Sequence, residues 1–301
     1  MMLKNIFRRM GTSSTNSAHT LKYLSDKYTV DYENLHMDDG GVRLTYWVLN
    51  PNFGDVLSSW LFKKLTGKAT KLVNVATNSS KSTLKKPTYI SVGSILSRVQ
   101  DVSEVWGTGS FGTEQATQIS KNAKYHAVRG PLTRCLVNNV GGSCPAVYGD
   151  PALLAPLVYN PDVEIKHEVG VVLRWSEKSW LKVKPGKGVK LIDLGTSDVE
   201  GVIDQIKSCK KIITSSLHGL IIADTYGIPN AWLSSSTPKG GEFKFYDYFL
   251  SVDKIRHANS YDIDKKGLGL NTLLSEFDFD DRYINFAPNK LLDACPFLKR
   301  K

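Results

Sequence analysis

The chain has 301 residues, 41% hydrophobic and 23% charged, with 39 Lys and Arg against 29 Asp and Glu for a formal net charge of +10. That length accommodates two domains of ordinary size, and the mixture excludes a disordered or fibrous chain. The positive excess favours partners that carry negative charge, without choosing among phosphates, nucleic acid and an anionic membrane surface.

No apolar run reaches the ~20 residues that a bilayer span needs. The N-terminus is basic around Lys4, Arg8 and Arg9 but lacks the apolar stretch of a secretory signal. Cys135, Cys144, Cys209 and Cys295 are scattered without a CxxC pair, so a metal site and a disulfide framework both lack support. Reduced thiols and a cytoplasmic setting follow.

Residues 1–40 read as a loosely structured lead-in. The first strand is expected over Arg43–Leu49, followed by the turn Asn52-Phe53-Gly54-Asp55 and a helix. That helix has apolar positions Val56, Leu57, Trp60, Leu61 and Leu65 on one face and a stop at Gly67. After a Ser/Thr/Lys-rich loop (77–86) come a strand at Thr88–Val92, a strand edge at Val105 and a glycine-rich loop, Gly107–Gly112. A strand at Ala123–Val128 then leads through Arg129-Gly130-Pro131 into a helix, with Pro131 suited to the first helical turn.

Asn160-Pro161-Asp162 is the best linker. Beyond it a second series begins with Val169–Arg174, a lysine-rich loop (Lys178, Lys182, Lys184, Lys187 and Lys190), Val189–Leu194 and the helix Val199–Lys207. Ile212 and Ile213 then run into Thr214-Ser215-Ser216, His218, Gly219 and an apolar helix closed by Gly227 and Pro229. Ala231–Leu233, the aromatic stretch Phe243–Phe249 and a terminal helix, Asn289–Cys295, complete the pattern. Strands alternating with helices predict an α/β fold of two Rossmann-like domains, residues 1–160 and 161–301, with the terminal helix packing back on the first.

Ligands of open α/β sheets bind at the carboxyl ends of strands. Four signals fall there: Asn52–Asp55, Gly107–Gly112, Arg129 and Ser215–Gly219. The glycine loop misses the dinucleotide fingerprint but allows backbone amides to approach a phosphate or sugar. Arg129 has the geometry to grip a carboxylate or phosphate; an ion pair with a structural acid such as Asp150 is the competing reading. Asp150 also suits a turn. Arg174 ends a strand and points either to a site or to solvent. His218 joins a proton carrier to a helix N-terminus, where unpaired N–H groups favour an anion. Ser215 and Ser216 fit no G-x-S-x-G elbow, which argues against a serine nucleophile. The lysines of 178–190 are interleaved only by Trp175 and Trp180, so nucleic acid is not the expected partner.

Asn52–Asp55, Trp106–Gly109, Ala127–Thr133, Gly149–Leu154, Ser215–Gly219 and Tyr226–Pro229, in this order, resemble the polysaccharide pyruvyl transferase family over about residues 43–250. Phe243–Tyr248 resembles a late segment of its exopolysaccharide branch. The resemblance implies a GT-B-like pair of domains and transfer of a pyruvyl group from phosphoenolpyruvate to two hydroxyls of a hexose, as a cyclic ketal. No metal or nicotinamide cofactor is implied. That chemistry needs a general acid, for which His218 is the candidate; Asp55 reads either as a catalytic group that orients or deprotonates an acceptor hydroxyl or as a first-turn acid favoured by the helix dipole. Arg174, Ser215, Ser216, Gly219 and Lys244 of the second domain, with Arg129 of the first, are expected to bind the donor, and Asn52, Gly54, Gly107, Gly109 and Ser110 the acceptor. Some relatives carry an Arg where this chain has Ser216. A lipid-linked acceptor at the inner membrane face would suit basic termini, Lys4, Arg8, Arg9, Lys299, Arg300 and Lys301. A nucleotide-sugar glycosyltransferase of the same architecture and a non-catalytic carbohydrate-binding protein are the alternatives.

Overall fold

A computed structural model describes residues 16–47, 50–75, 84–235 and 241–301. The basic N-terminal segment, Val48 and Leu49 of the first expected strand, part of the loop after Val75 and residues 236–240 lie outside them.

The lead-in is more ordered than its polarity implies. Helix α1 (Asn16–Lys27) runs into strand β1 (Tyr28–Val30), and Tyr28 and Leu35 enter a core of aromatic side chains. Strand β2 (Met37–Asp38) then pairs antiparallel with β3 (Gly41–Thr45), every residue of which is buried. β3 is flanked in parallel by β4 (Thr70–Leu72) and β5 (Thr88–Ile90). The sheet continues through β6 (Ser103–Trp106) to β7 (Lys124–Ala127). Helix α2 (Phe53–Thr66) follows β3: Asn52 caps its first turn and Gly67, at φ 67°, ends it in the left-handed region. Helix α3 (Pro131–Asn139) follows β7 with Pro131 at its first position.

A 3₁₀ turn (Pro151–Leu154) and the short α4 (Ala155–Val158) lead to the second sheet. It has four strands, all parallel, in the order β11-β10-β8-β9: β8 (His167–Leu173), β9 (Val189–Asp193), β10 (Cys209–Thr214) and β11 (Asn230–Trp232). Val169 to Leu173 form an unbroken buried run, as a parallel strand covered on both faces requires. The register sets Thr214 beside Val172 and Trp232, so β8, β10 and β11 end level.

Helix α5 (Val199–Lys207) is amphipathic, but α6 (Leu217–Thr225) presents no polar face to solvent: every residue except His218 is buried, including Asp224, which pairs with Lys254 and Arg256. The reason is its place. α6 shares a core with Phe53 and Leu57 of α2, Ala152 and Leu153 of the 3₁₀ turn, α5, and Phe245 and Phe249 of helix α7 (Phe243–Val252). A helix enclosed on every side needs no polar face, and α6 thereby joins the two halves. Short helices α8 (Ile263–Lys266) and α9 (Leu270–Glu276) cover the second sheet. The chain then returns to the first half through α10 (Pro288–Asp293) and β12 (Leu298–Arg300), which pairs antiparallel with β1. Among the described residues no helix is long and apolar enough to cross a membrane.

Candidate functional site

The loops at the carboxyl ends of both sheets meet. Phe53, beginning α2, donates its N–H to the carbonyl of Leu194 just beyond β9, at 2.9 Å. His218, in the first turn of α6, lies against Gly54; a Cβ built on that glycine would fall 2.2 Å from His218 Nδ1. Gly54 is therefore required by close approach of the imidazole. Gly219 is required for a second approach, since a Cβ there would meet Thr214 Oγ1 at 2.3 Å where the helix turns back on its strand. Thr214 Oγ1 in turn accepts the Ser216 N–H at 3.1 Å, and the side chain of Ser216 does not cap α6.

Asp55 stands beside this ring in the first turn of α2. Burial pushes its carboxyl above the usual range, opposed by the hydrogen bond from Asn52 Nδ2 (2.6 Å) and by the positive neighbours His218, Lys244 and Arg98. On the other side of His218, Nε2 faces Asp150 Oδ2 at 3.6 Å, too long for a hydrogen bond. Asp150 Oδ1 accepts the Ala152 N–H at 3.0 Å and starts the 3₁₀ turn.

Above the second sheet the end of β8 carries a polar network. Glu177 is buried, accepts from the Arg174 N–H at 3.1 Å, from Ser235 Oγ at 2.7 Å and from Ser215 Oγ. Arg174 Nη1 donates to Ser235 Oγ at 3.1 Å. Burial lowers the Arg174 pKa against the pull of Glu177. Lys244, on the first turn of α7, is only 7% exposed. Burial first, then the cations Arg174 and Arg129, push its ammonium down to about 7, while Asp55 and Glu177 pull the other way. Asp55, His218, Lys244, Arg174 and Glu177 thus form one electrostatic neighbourhood drawn from both halves.

Arg129 belongs elsewhere. Its side chain has no exposure, and Nε donates to Asp247 Oδ2 at 3.0 Å, Nη1 to Ser94 Oγ at 2.7 Å and Nη2 to the Ser110 carbonyl at 2.7 Å. The structural acid is Asp247, and not Asp150 as the sequence suggested. Asp247 also accepts from the Thr133 N–H (2.9 Å) and Oγ1 (2.6 Å), pinning α7 to the start of α3. In this conformation Arg129 offers a ligand no surface.

The glycine loop serves the same knot. A Cβ on Gly109 would lie 2.1 Å from Arg129 Cζ, and one on Gly107, where φ is 88°, 2.2 Å from Pro151 Cδ. Ser110 is buried with its hydroxyl on Glu114. Gly107, Gly109 and Ser110 admit the protein's own side chains, so the close-approach signal has an internal addressee. Asn52 and Gly54 remain at the junction with His218. Sequence reasoning passed over Glu177 and Arg98; a carboxylate three residues past a strand end was the available signal for the first.

Among the described residues the four cysteines are unpaired thiols, and no group of His, Cys, Asp and Glu has the arrangement of a metal site. Burial pushes the Cys144 thiol up to about 12 and, despite a hydrogen bond with Ser208, Cys209 up to about 11. These thiols are inert at neutral pH.

The chain is 27% identical over 273 residues to an uncharacterized protein of Acanthamoeba polyphaga mimivirus, a match covering 86% of this chain and 93% of that one. It is 29% identical over 217 residues to the succinoglycan biosynthesis protein ExoV of Rhizobium meliloti, covering 67% of this chain and 62% of that protein. A solved structure from Klebsiella pneumoniae, of a protein without assigned function, aligns over 79% of this chain and 94% of its own at 12% identity. Its TM-score of 0.41 gives it no bearing on the assignment. The polysaccharide pyruvyl transferase family model matches residues 18–237, from α1 past β11 and through every loop that surrounds His218 except the start of α7. With both sheets and their junction inside that match, the chain belongs to the polysaccharide pyruvyl transferase family, a family of transferases.

Proposed function

We propose that this protein transfers the enolpyruvyl group of phosphoenolpyruvate to two hydroxyls of a hexose in a polysaccharide or lipid-linked oligosaccharide, forming a cyclic pyruvate ketal. The observation that carries this reading is the juxtaposition of His218 with the acid Asp55 and the buried cation Lys244 at an uncapped helix start. It pairs a proton carrier with an environment for an anion.

His218 in its protonated form delivers a proton to the donor's methylene carbon, and the adjacent carbon becomes oxocarbenium-like. A sugar hydroxyl attacks there and gives up its proton through Asp55, whose raised pKa suits a base in a desolvated place. Phosphate departs with the proton that Asp55 took, which restores Asp55, and the second hydroxyl closes the ring, its proton restoring His218. Lys244, Arg174 and the first amides of α6 hold the carboxylate and phosphate. The Asn52–Asp55 turn faces the acceptor. The reaction as written transfers no electrons and calls for no nicotinamide. An acceptor on a lipid diphosphate would bring the basic termini to an anionic membrane face; cosedimentation with anionic but not neutral liposomes tests that.

Phosphate release from phosphoenolpyruvate, measured with hexose acceptors beside turnover of UDP-sugars, tests the reaction. Turnover of UDP-sugar alone sinks it. His218→Ala is expected to lower kcat by about 10²–10⁴-fold while the fold is retained.

A further inference from the structure

Two buried polar atoms face one another unpaired. Asp150 is fully buried, and of its carboxylate oxygens Oδ1 is taken by the Ala152 N–H while Oδ2 has no hydrogen-bond partner. His218 Nε2 is likewise buried without a partner, 3.6 Å from that oxygen. A buried carboxylate oxygen left unsatisfied is costly, and native folds leave few such atoms. The gap exceeds hydrogen-bond length by about 0.7 Å, and bonds in unliganded sites commonly tighten when substrate binds. The two atoms answer each other.

We propose that Asp150 is the positioning residue for His218: Oδ2 accepts from Nε2–H, and Nδ1, on the side of Gly54, is the nitrogen that carries the mobile proton. This rests on the reading of His218 as proton donor. Protonated His218 gives its Nδ1 proton to the donor's methylene carbon and is left as the neutral Nε2–H tautomer. Asp150 transfers no proton and holds the ring's orientation. The arrangement explains Gly54, because a side chain there would strike Nδ1 itself. The charged groups facing the imidazole are Asp150 from the 3₁₀ turn and Asp55 from α2, with Lys244 of α7 in the same neighbourhood.

The test is a long-range ¹H–¹⁵N correlation spectrum of the full chain labelled at histidine, recorded across pH 5–9 and assigned with His218→Gln. Neutral His218 is expected as the Nε2–H tautomer in the unsubstituted protein. In Asp150→Asn, whose amide oxygen still accepts from Ala152 and whose Nδ2 would then face Nε2 as a donor, neutral His218 is expected to shift to the Nδ1–H tautomer. A neutral Nδ1–H tautomer in the unsubstituted protein overturns the proposal even if the variant does not fold. So does an Asp150→Asn protein with the His218 tautomer unchanged. The expected tautomer in a protein that does not turn over phosphoenolpyruvate supports the pairing and removes the pyruvyl reading instead.

Discussion

Lys244 carries a charge that the fold opposes. An unfolded lysine keeps its proton to about pH 10.4, whereas burial beside Arg174 and Arg129 brings the folded group down to about 7. Between those values the unfolded chain binds more protons, so stability rises with pH across that window, and the penalty is complete below it. Lys244→Met is therefore expected to raise the melting temperature at pH 6, by roughly 2–4 °C for each kcal/mol relieved. The gain should shrink towards pH 10, as thermal scans at the two values would show. The same variant is expected to raise KM for phosphoenolpyruvate tenfold or more, and KM in the unsubstituted protein should climb as pH passes about 7. A melting temperature unchanged at pH 6 would mean that the fold does not oppose the charge on Lys244.

Among the elements, the glycine loop after β6 separates space from backbone conformation. Gly109 has no unusual φ, yet its missing Cβ is the room in which Arg129 Cζ sits. Gly67 has φ 67° and nothing within 4 Å. Gly67→Ala should cost about 1 kcal/mol, from the left-handed backbone alone. Gly109→Ala should cost about 3 kcal/mol or more by overpacking, because the guanidinium is held on three sides and cannot yield; urea denaturation of the two variants measures the difference. This loop also shows where sequence was legible. Periodicity marks strand, turn and helix around Asn52 and Ser215, and an apolar stretch without a polar face is visible at α6. Glycine spacing announces a close approach without naming the partner, because Arg129 meets Asp247 from 118 positions away. Asp150 looked like a turn residue and is one, but its second oxygen faces a histidine that only the folded chain brings near. Helix α1 was hidden by its polarity, and it is the far end of the chain that gives its neighbourhood an apolar surface to cover.

At the scale of the molecule, that far end closes the first core. Phe297, with no exposure, lies 4.7 Å from Phe62, 5.4 Å from Tyr89 and 5.7 Å from Trp106 between ring centroids, and the Trp106 indole N–H donates to the Leu291 carbonyl at 2.9 Å. A residue near the last position is thus core to strands near the first. Phe297→Ala should destabilise the fold by about 3–5 kcal/mol, the usual range for deleting a buried ring. Where that loss is felt bears on the site. The core around α6 contains Phe53, Leu57, Val92 and Leu153 together with Ile212, Leu220, Trp232 and Phe249. Arg129 and Asp247 bind the halves again across a fully buried ion pair. Opening the first half alone would expose this shared core and leave that pair uncompensated, a loss of about 3–5 kcal/mol for the ion pair by itself. The two halves should therefore unfold together. Hydrogen exchange of Phe297→Ala is expected to show the slowest amides of β8 and β10 losing as much protection as those of β3, β5 and β6. Protection retained in β8 and β10 would instead mean that the halves open separately, with the His218–Gly54 contact broken each time they do.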